Sequence, residues 1–288
     1  MHINSLGGFS ADDFRPTEYR PGLDMDLLLK RVHTQGLAVL SGFPADPEEL
    51  LAFGRRLGTP SRKPAYGGAA NSPKDGDAFG YIGDVRLMTD IEAGRRRPTQ
   101  DRAEVRMHTA RSFAVNRPRY FVLLMADPGR RTERGQSGES VYTSIDHACA
   151  ALHRRFPDTA AEDLEVLAST PVPWTLPHAP ENAARTPVLQ STSPRTFRYW
   201  QGIADDIPAE AADSRLAAAL TRLDQVINDP AVQAELVAEA GDLVLLDNDR
   251  VAHGRRPFPA FMDDAGTVPS TRQVYSVHVF APGQETAE

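Results

Sequence analysis

The chain of 288 residues is 41% hydrophobic and 25% charged, an ordinary composition for a globular protein with one large core, and a single domain over residues 1–288 is expected. Its net charge of −7 excludes a general nucleic-acid-binding surface, which is basic. No apolar run is long enough to span a bilayer, and the lone cysteine, Cys149, excludes an internal disulfide and fits a reducing cytoplasm.

Residues 1–14 carry no basic-then-apolar pattern, so no signal peptide is read there. Residues 25–32 space Leu and Val as an amphipathic helix does, and residues 36–40 read as a buried strand. Asp46 and Pro47 open a second helix, an acidic cap followed by proline in the first turn. Residues 60–100 are rich in Gly, Pro, Asn and Arg, with one apolar island at Phe79-Gly80-Tyr81-Ile82. A loop of that length in a compact domain is usually functional, and it is expected to lie over a site as a lid. Residues 120–125 form a continuous apolar run between Pro118 and Pro128, hence a central strand. Residues 146–156 predict a helix carrying Cys149, whose thiol is expected to be buried and inert. Further helices are expected over 214–227 and 231–240, and strands over 242–247 and 272–280. The clusters Arg95-Arg96-Arg97, Arg117-Pro118-Arg119 and Arg130-Arg131 with Arg134 read as solvated surface.

The chemistry lies in two places. Met107-His108-Thr109-Ala110 is answered far downstream by Asp247-Asn248-Asp249-Arg250-Val251-Ala252-His253-Gly254-Arg255. Two neutral imidazoles suit iron(II), and the common non-heme site adds a carboxylate two residues after the first histidine. Ala110 stands there and cannot bind a metal. A site that holds iron while omitting one protein ligand has room for another occupant, and a halide ion is the leading one. The other histidines offer no rival pair: His147 and His153 fall off a common helix face. His278 shares a strand face with Arg272 and Ser276 and reads as a packing residue or a partner to a ligating ring.

Taken in order, His108-Thr109-Ala110, Pro118-Arg119-Tyr120, residues 137–144, Gly241-Asp242-Leu243, His253-Gly254-Arg255 and Thr271-Arg272 resemble the iron(II)- and 2-oxoglutarate-dependent oxygenases of the taurine dioxygenase and clavaminate synthase type. The resemblance runs from about Gly36 to Phe280. It implies a mainly β fold with flanking helices, a double-stranded β-helix or jelly roll, with the metal at its open mouth. It implies His108 and His253 as ligands, and Arg272 as the bidentate partner of the distal carboxylate of 2-oxoglutarate. Ser140 stands where the family has a threonine that supports the same carboxylate. The spacing from His253 to Arg272 is long, with residues 262–267 reading as an inserted turn, so Arg255 is a second choice for that contact. In place of the usual Asp or Glu, Ala110 matches the halogenase branch, in which chloride fills the vacated position and is transferred to the substrate carbon instead of hydroxyl.

The resemblance thus implies an iron(II)/2-oxoglutarate-dependent halogenase, a chlorinase consuming O2 and chloride and acting on an unactivated C–H bond of a small polar metabolite. Thr109, Arg111 or Ser112 would steady the chloride. Tyr81, Arg198 and Trp200 are substrate candidates. Phe197-Arg198-Tyr199-Trp200 combines ring faces with a cation, which suits stacking on a base and tilts the substrate toward a nucleotide over a free amino acid. An ordinary strand with an aromatic face in the core is the competing account of that run. Two other functions stay open: a hydroxylase or desaturase with a carboxylate recruited from elsewhere, and a catalytically inactive small-molecule-binding jelly roll.

Overall fold

A computed structural model describes residues 2–6, 9, 11–62, 78–86, 104–129, 138–176, 179–200, 203, 214–257 and 272–284. The first strands are β1 (His2–Leu6), β2 (Thr17–Glu18), β3 (Leu37–Ser41), β4 (Thr59–Pro60), β5 (Gly83–Arg86), β6 (Val105–His108), β7 (Tyr120–Asp127) and β8 (Ser140–Ser144). They are followed by β9 (Val172–Leu176), β10 (Ala179–Thr186), β11 (Leu189–Thr192), β12 (Arg195–Phe197), β13 (Ala234–Val237), β14 (Leu243–Asp247), β15 (Val251–Arg255) and β16 (Gln273–Phe280). The helices are α1 (Met25–Gln35), α2 (Pro47–Leu57), α3 (Ile145–Arg155), α4 (Ala160–Ser169) and α5 (Ser214–Ile227).

Two sheets enclose the interior. The larger runs β2-β3-β14-β7-β16-β4, with β5 also paired to β16, and the smaller runs β1-β13-β8-β15-β6. Between them lie Phe14, Val39, Ala110, Phe121, Tyr142, Leu236, Leu246 and Val251, drawn from both sheets. The far face of the larger sheet, with Val122, Leu124, Val277 and Val279, is covered by Leu28, Val32, Leu51 and Phe53 of α1 and α2. The far face of the smaller sheet sets Met107, Val141 and Ala252 against Cys149 of α3 and Leu220 and Leu223 of α5. This is the expected double-stranded β-helix with flanking helices. Its central strand β7 is buried on both faces, which is why the run from Tyr120 shows no polar alternation.

Local signals place most elements. Asp24 caps α1 by accepting from the amides of Asp26 and Leu27, and Asp46 caps α2 through Glu48 with Pro47 in the first turn. The helix expected over 231–240 is instead a short 3-10 turn at Pro230–Val232 followed by β13. Helix propensity in Ala234, Glu235 and Leu236 is worth tenths of a kcal/mol per residue, about 0.7 at most. Pairing with β1 on one side and β8 on the other outweighs it. In the span 60–100, residues 63–77 and 87–103 lie outside the described residues, so the expected lid does too, as do the arginines at 95–97, 130–131 and 134. The described part is no open loop: Ala78 and Ile82 are buried against the larger sheet, and β5 adds to its edge. No helix among the described residues is long and apolar enough to cross a membrane.

Candidate active site

The two histidines are brought together by strand register. β15 runs between β8 and β6, with His253 opposite His108 on one side and Tyr142 on the other. The imidazole centroids are 4.3 Å apart, with Phe121 of the larger sheet 4.8 Å from His253. Gly254 permits this approach. A Cβ there would stand 2.5 Å from the Val105 carbonyl oxygen, so any larger residue would push β15 off β6.

The donor set fits a metal. His108 Nδ1 donates to the Arg106 carbonyl at 3.0 Å, which assigns its proton and leaves Nε2 with a free lone pair. His253 Nδ1 is buried and meets no hydrogen-bonding group among the described residues, an unsatisfied nitrogen that demands a partner. Burial holds the pKa of His108 below the ordinary histidine value. His253 lies well below it, through burial first and then the neighbouring His108 and His278. Both rings are neutral at pH 7, the form a metal requires. His278 stacks on the other contact of this cluster, Phe121, at 4.5 Å and 13°.

Ala110 follows at the end of β6 and is 4% exposed. Its N–H donates to Asn248 Oδ1 at 2.6 Å, and Asn248 Nδ2 donates back to the Ala110 carbonyl at 3.0 Å. Among the described residues no group of three His, Cys, Asp or Glu side chains is placed to hold a metal, so no carboxylate from them joins the dyad. Thr109 and Ser112 share a hydroxyl contact of 3.1 Å, and Ser112 Oγ lies 2.7 and 2.8 Å from the carbonyls of Thr109 and Tyr199. Arg111 adopts a left-handed conformation (φ 53°) and donates to Ser61 Oγ at 2.5 Å and the Arg62 carbonyl at 2.8 Å. It thereby joins the turn after Ala110 to the start of the 60–100 span.

The candidates for a carboxylate contact are Arg272, just before β16, with Ser140 on β8 and Arg255 on β15. Arg272 precedes β16, is buried, and is held down to about 10 by that burial despite Tyr142 and Glu139 nearby, so it stays charged at neutral pH. Gly129 closes on it: a Cβ there would sit 2.9 Å from the Arg272 amide nitrogen. Ser140 on β8 hydrogen-bonds Tyr142, whose hydroxyl burial pushes up to about 12. Arg255, also buried, stands directly opposite Ser140 in register. A buried planar cation and a half-buried hydroxyl are groups that suit a carboxylate.

The substrate candidates are scattered. Tyr81 lies under the Arg62 guanidinium, with 5.9 Å from its carbon to the ring centroid. Arg198 is buried, donates to the carbonyls of Ser112 and Ala114 at 2.9 and 2.8 Å, and stacks on Trp174. Trp200 is 45% exposed, whereas Phe197 and Tyr199 are fully buried, the core account of that run. Arg117, expected on the surface, is buried: it pairs with Asp249 and donates to Thr109 Oγ1 and the Phe197 carbonyl at 2.8 Å each. Tyr142, Phe121 and Asn248 have no role in the sequence reading, although each lies inside a run that it singles out.

Several solved structures share this architecture. Non-heme iron oxygenase OrfP, in complex with Fe and alpha-ketoglutaric acid, is 21% identical with a TM-score of 0.61 over 91% of this chain and 80% of that one. PvcB from Pseudomonas aeruginosa, an Fe, alpha-ketoglutarate dependent oxygenase from an isonitrile synthetic pathway, is 17% identical with a TM-score of 0.62 over 96% and 91%. Asparagine oxygenase (AsnO) is 17% identical with a TM-score of 0.63 over 90% and 79%. At these identities the likeness is one of fold. No curated protein sequence matches the chain. Residues 2–268 match the family described as taurine catabolism dioxygenase TauD, TfdA family. With the paired histidines and the buried arginine on the jelly-roll frame, the chain belongs to the TauD/TfdA dioxygenases and is an oxidoreductase of that family.

Proposed function

We propose that the protein is an iron(II)/2-oxoglutarate-dependent halogenase that chlorinates an unactivated C–H bond of a small polar metabolite. The observation that carries the reading is Ala110. It follows His108 at the usual carboxylate position, and no acidic side chain of the described residues stands in for it.

In this reading His108 and His253 would hold iron(II), their neutral rings needing no proton release at pH 7. Arg272 and Ser140 would take the distal carboxylate of 2-oxoglutarate, with Arg255 opposite Ser140 as a further cation. Iron, with 2-oxoglutarate and O2, supplies the oxidant for hydrogen-atom removal, and the methyl of Ala110 leaves room for chloride beside it. Phe121 and Tyr142, packed beside His253, shield that ring from water. Thr109 and Ser112 act on the halide through the backbone they brace, since their hydroxyls are engaged with carbonyls and each other. For the substrate, burial of Phe197, Arg198 and Tyr199 removes most of the support for base stacking, so a free amino acid becomes the better reading than a nucleotide.

Anaerobic reconstitution with iron(II) and 2-oxoglutarate, followed by visible absorption with and without chloride, tests this. A metal-to-ligand band that shifts with chloride is the expected result. A band indifferent to chloride would return the protein to the hydroxylases or desaturases, and absence of any band would leave a metal-free binding protein.

A further inference from the structure

A carboxylate ligand ties its own backbone to the metal. Alanine has no atom for that, so the place of residue 110 beside the dyad must be set by contacts from elsewhere. The run Asp247-Asn248-Asp249, which starts on the last residue of β14 and leads toward the strand that carries His253, supplies them. Each of its three side chains takes a different part of the segment 109–119.

Asn248 is fully buried. Its Oδ1 accepts from the Ala110 N–H at 2.6 Å, and its Nδ2 donates to the carbonyls of Ala110 and Pro118, at 3.0 Å each. One carboxamide therefore grips both peptide groups that flank Ala110. Its orientation is determined by its partners, because a flipped amide would face two carbonyls with its oxygen. The Asn248 amide also donates to the Arg119 carbonyl at 2.7 Å. On either side, Asp247 pairs with Arg119 at 3.2 Å and Asp249 with the buried Arg117, which in turn donates to Thr109 Oγ1. From the opposite direction the Tyr199 carbonyl accepts from the Thr109 amide at 2.8 Å.

We propose, resting on the halogenase reading, that Asn248 is a positioning residue for the halide: it sets the Ala110 backbone against the strand of His253 so that the ligand position stays open. Halide affinity then depends on Asn248, while 2-oxoglutarate affinity depends on Arg272 and is largely insensitive to it.

Two measurements test the proposal. In the metal-free wild-type chain, amide hydrogen exchange followed by NMR is expected to protect the Ala110 N–H as strongly as the amides of β15. Fast exchange at Ala110 overturns the proposal and needs no variant. In protein loaded anaerobically with iron(II) and 2-oxoglutarate, Asn248→Asp and Asn248→Ala are titrated with chloride through the visible band. The chloride concentration for half the shift should rise roughly tenfold or more, the usual scale for residues that orient a metal's surroundings. The 2-oxoglutarate midpoint should move far less. Equal weakening of both ligands, or an unchanged chloride midpoint, overturns the positioning role. A wild-type band that ignores chloride overturns the halogenase reading and this proposal together, whereas a wild-type shift that persists unchanged in the variants overturns this proposal alone. If neither variant folds, amide exchange decides.

Discussion

At the scale of single residues, in the proposed reading Ala110 separates halogenation from hydroxylation by the three heavy atoms that an aspartate would add. Ala110→Asp would place a carboxylate where the methyl stands, occupying both the space and the coordination position. Chlorinated product, read from the two-isotope mass pattern of chlorine, is expected to vanish in that variant. Chlorination that persisted would show that the halide sits elsewhere. Cys149 gives a contrasting case in which burial silences a reactive group. Its thiol is 1% exposed and burial pushes it up to about 11. At pH 8 the thiol stays protonated, so alkylation by iodoacetamide should be negligible in the folded chain and rapid in denaturant. Raising the pH toward 11 should accelerate the folded-state reaction, because the thiolate is the nucleophile. Fast labelling at pH 8 would mean that α3 opens.

At the scale of elements, the dyad depends on how closely β15 lies against β6. Gly254 alternates with His253 and Arg255 and faces the Val105 carbonyl, where a methyl would be at 2.5 Å. Gly254→Ala must move one strand, at a cost of about 1–3 kcal/mol for overpacking, and the displacement falls on the pair His253–His108. The variant should fold with a lowered melting temperature and bind iron(II) at least severalfold more weakly. Calorimetric titration of iron(II) checks this, and wild-type affinity would show that the strands absorb the methyl without separating the rings. The Asp247-Asn248-Asp249 turn acts on the same scale, joining the end of β14 to the loop after β6 by side chains instead of by a ladder.

At the scale of the whole molecule, the residues proposed to hold iron(II) and 2-oxoglutarate are drawn from both sheets. The histidines and Ser140 belong to the smaller sheet, and Arg272 leads into β16 of the larger. Iron(II) and 2-oxoglutarate bound together would therefore tie one sheet to the other, stabilising the native state by mass action. At a hundredfold excess over its dissociation constant each ligand adds about 2.7 kcal/mol. Differential scanning calorimetry under nitrogen should show the melting temperature rising by roughly 5 °C or more with both ligands, at a few degrees per kcal/mol for a chain of this size. In Arg272→Ala the increment from 2-oxoglutarate should be lost and that from iron(II) retained. Loss of both would place Arg272 in the fold's support, and loss of neither would shift the carboxylate contact to Arg255.

What the amino-acid order determined by itself was whatever rests on neighbours in the chain. The apolar runs of β7, β14 and β16, the amphipathic spacing of α1 and the Asp-capped start of α2 are local patterns, and each is found where it was expected. The tertiary structure decided whatever rests on partners far apart. β13 is a strand because β1 and β8 flank it, against its own helix-forming residues. Arg117 is buried because Asp249, 132 positions later, neutralises it. The amide of Ala110 meets its acceptor 138 positions away, on Asn248. Pairings of that range leave no periodicity to read, since the energy that selects them belongs to desolvated contacts that exist only once both sheets have formed.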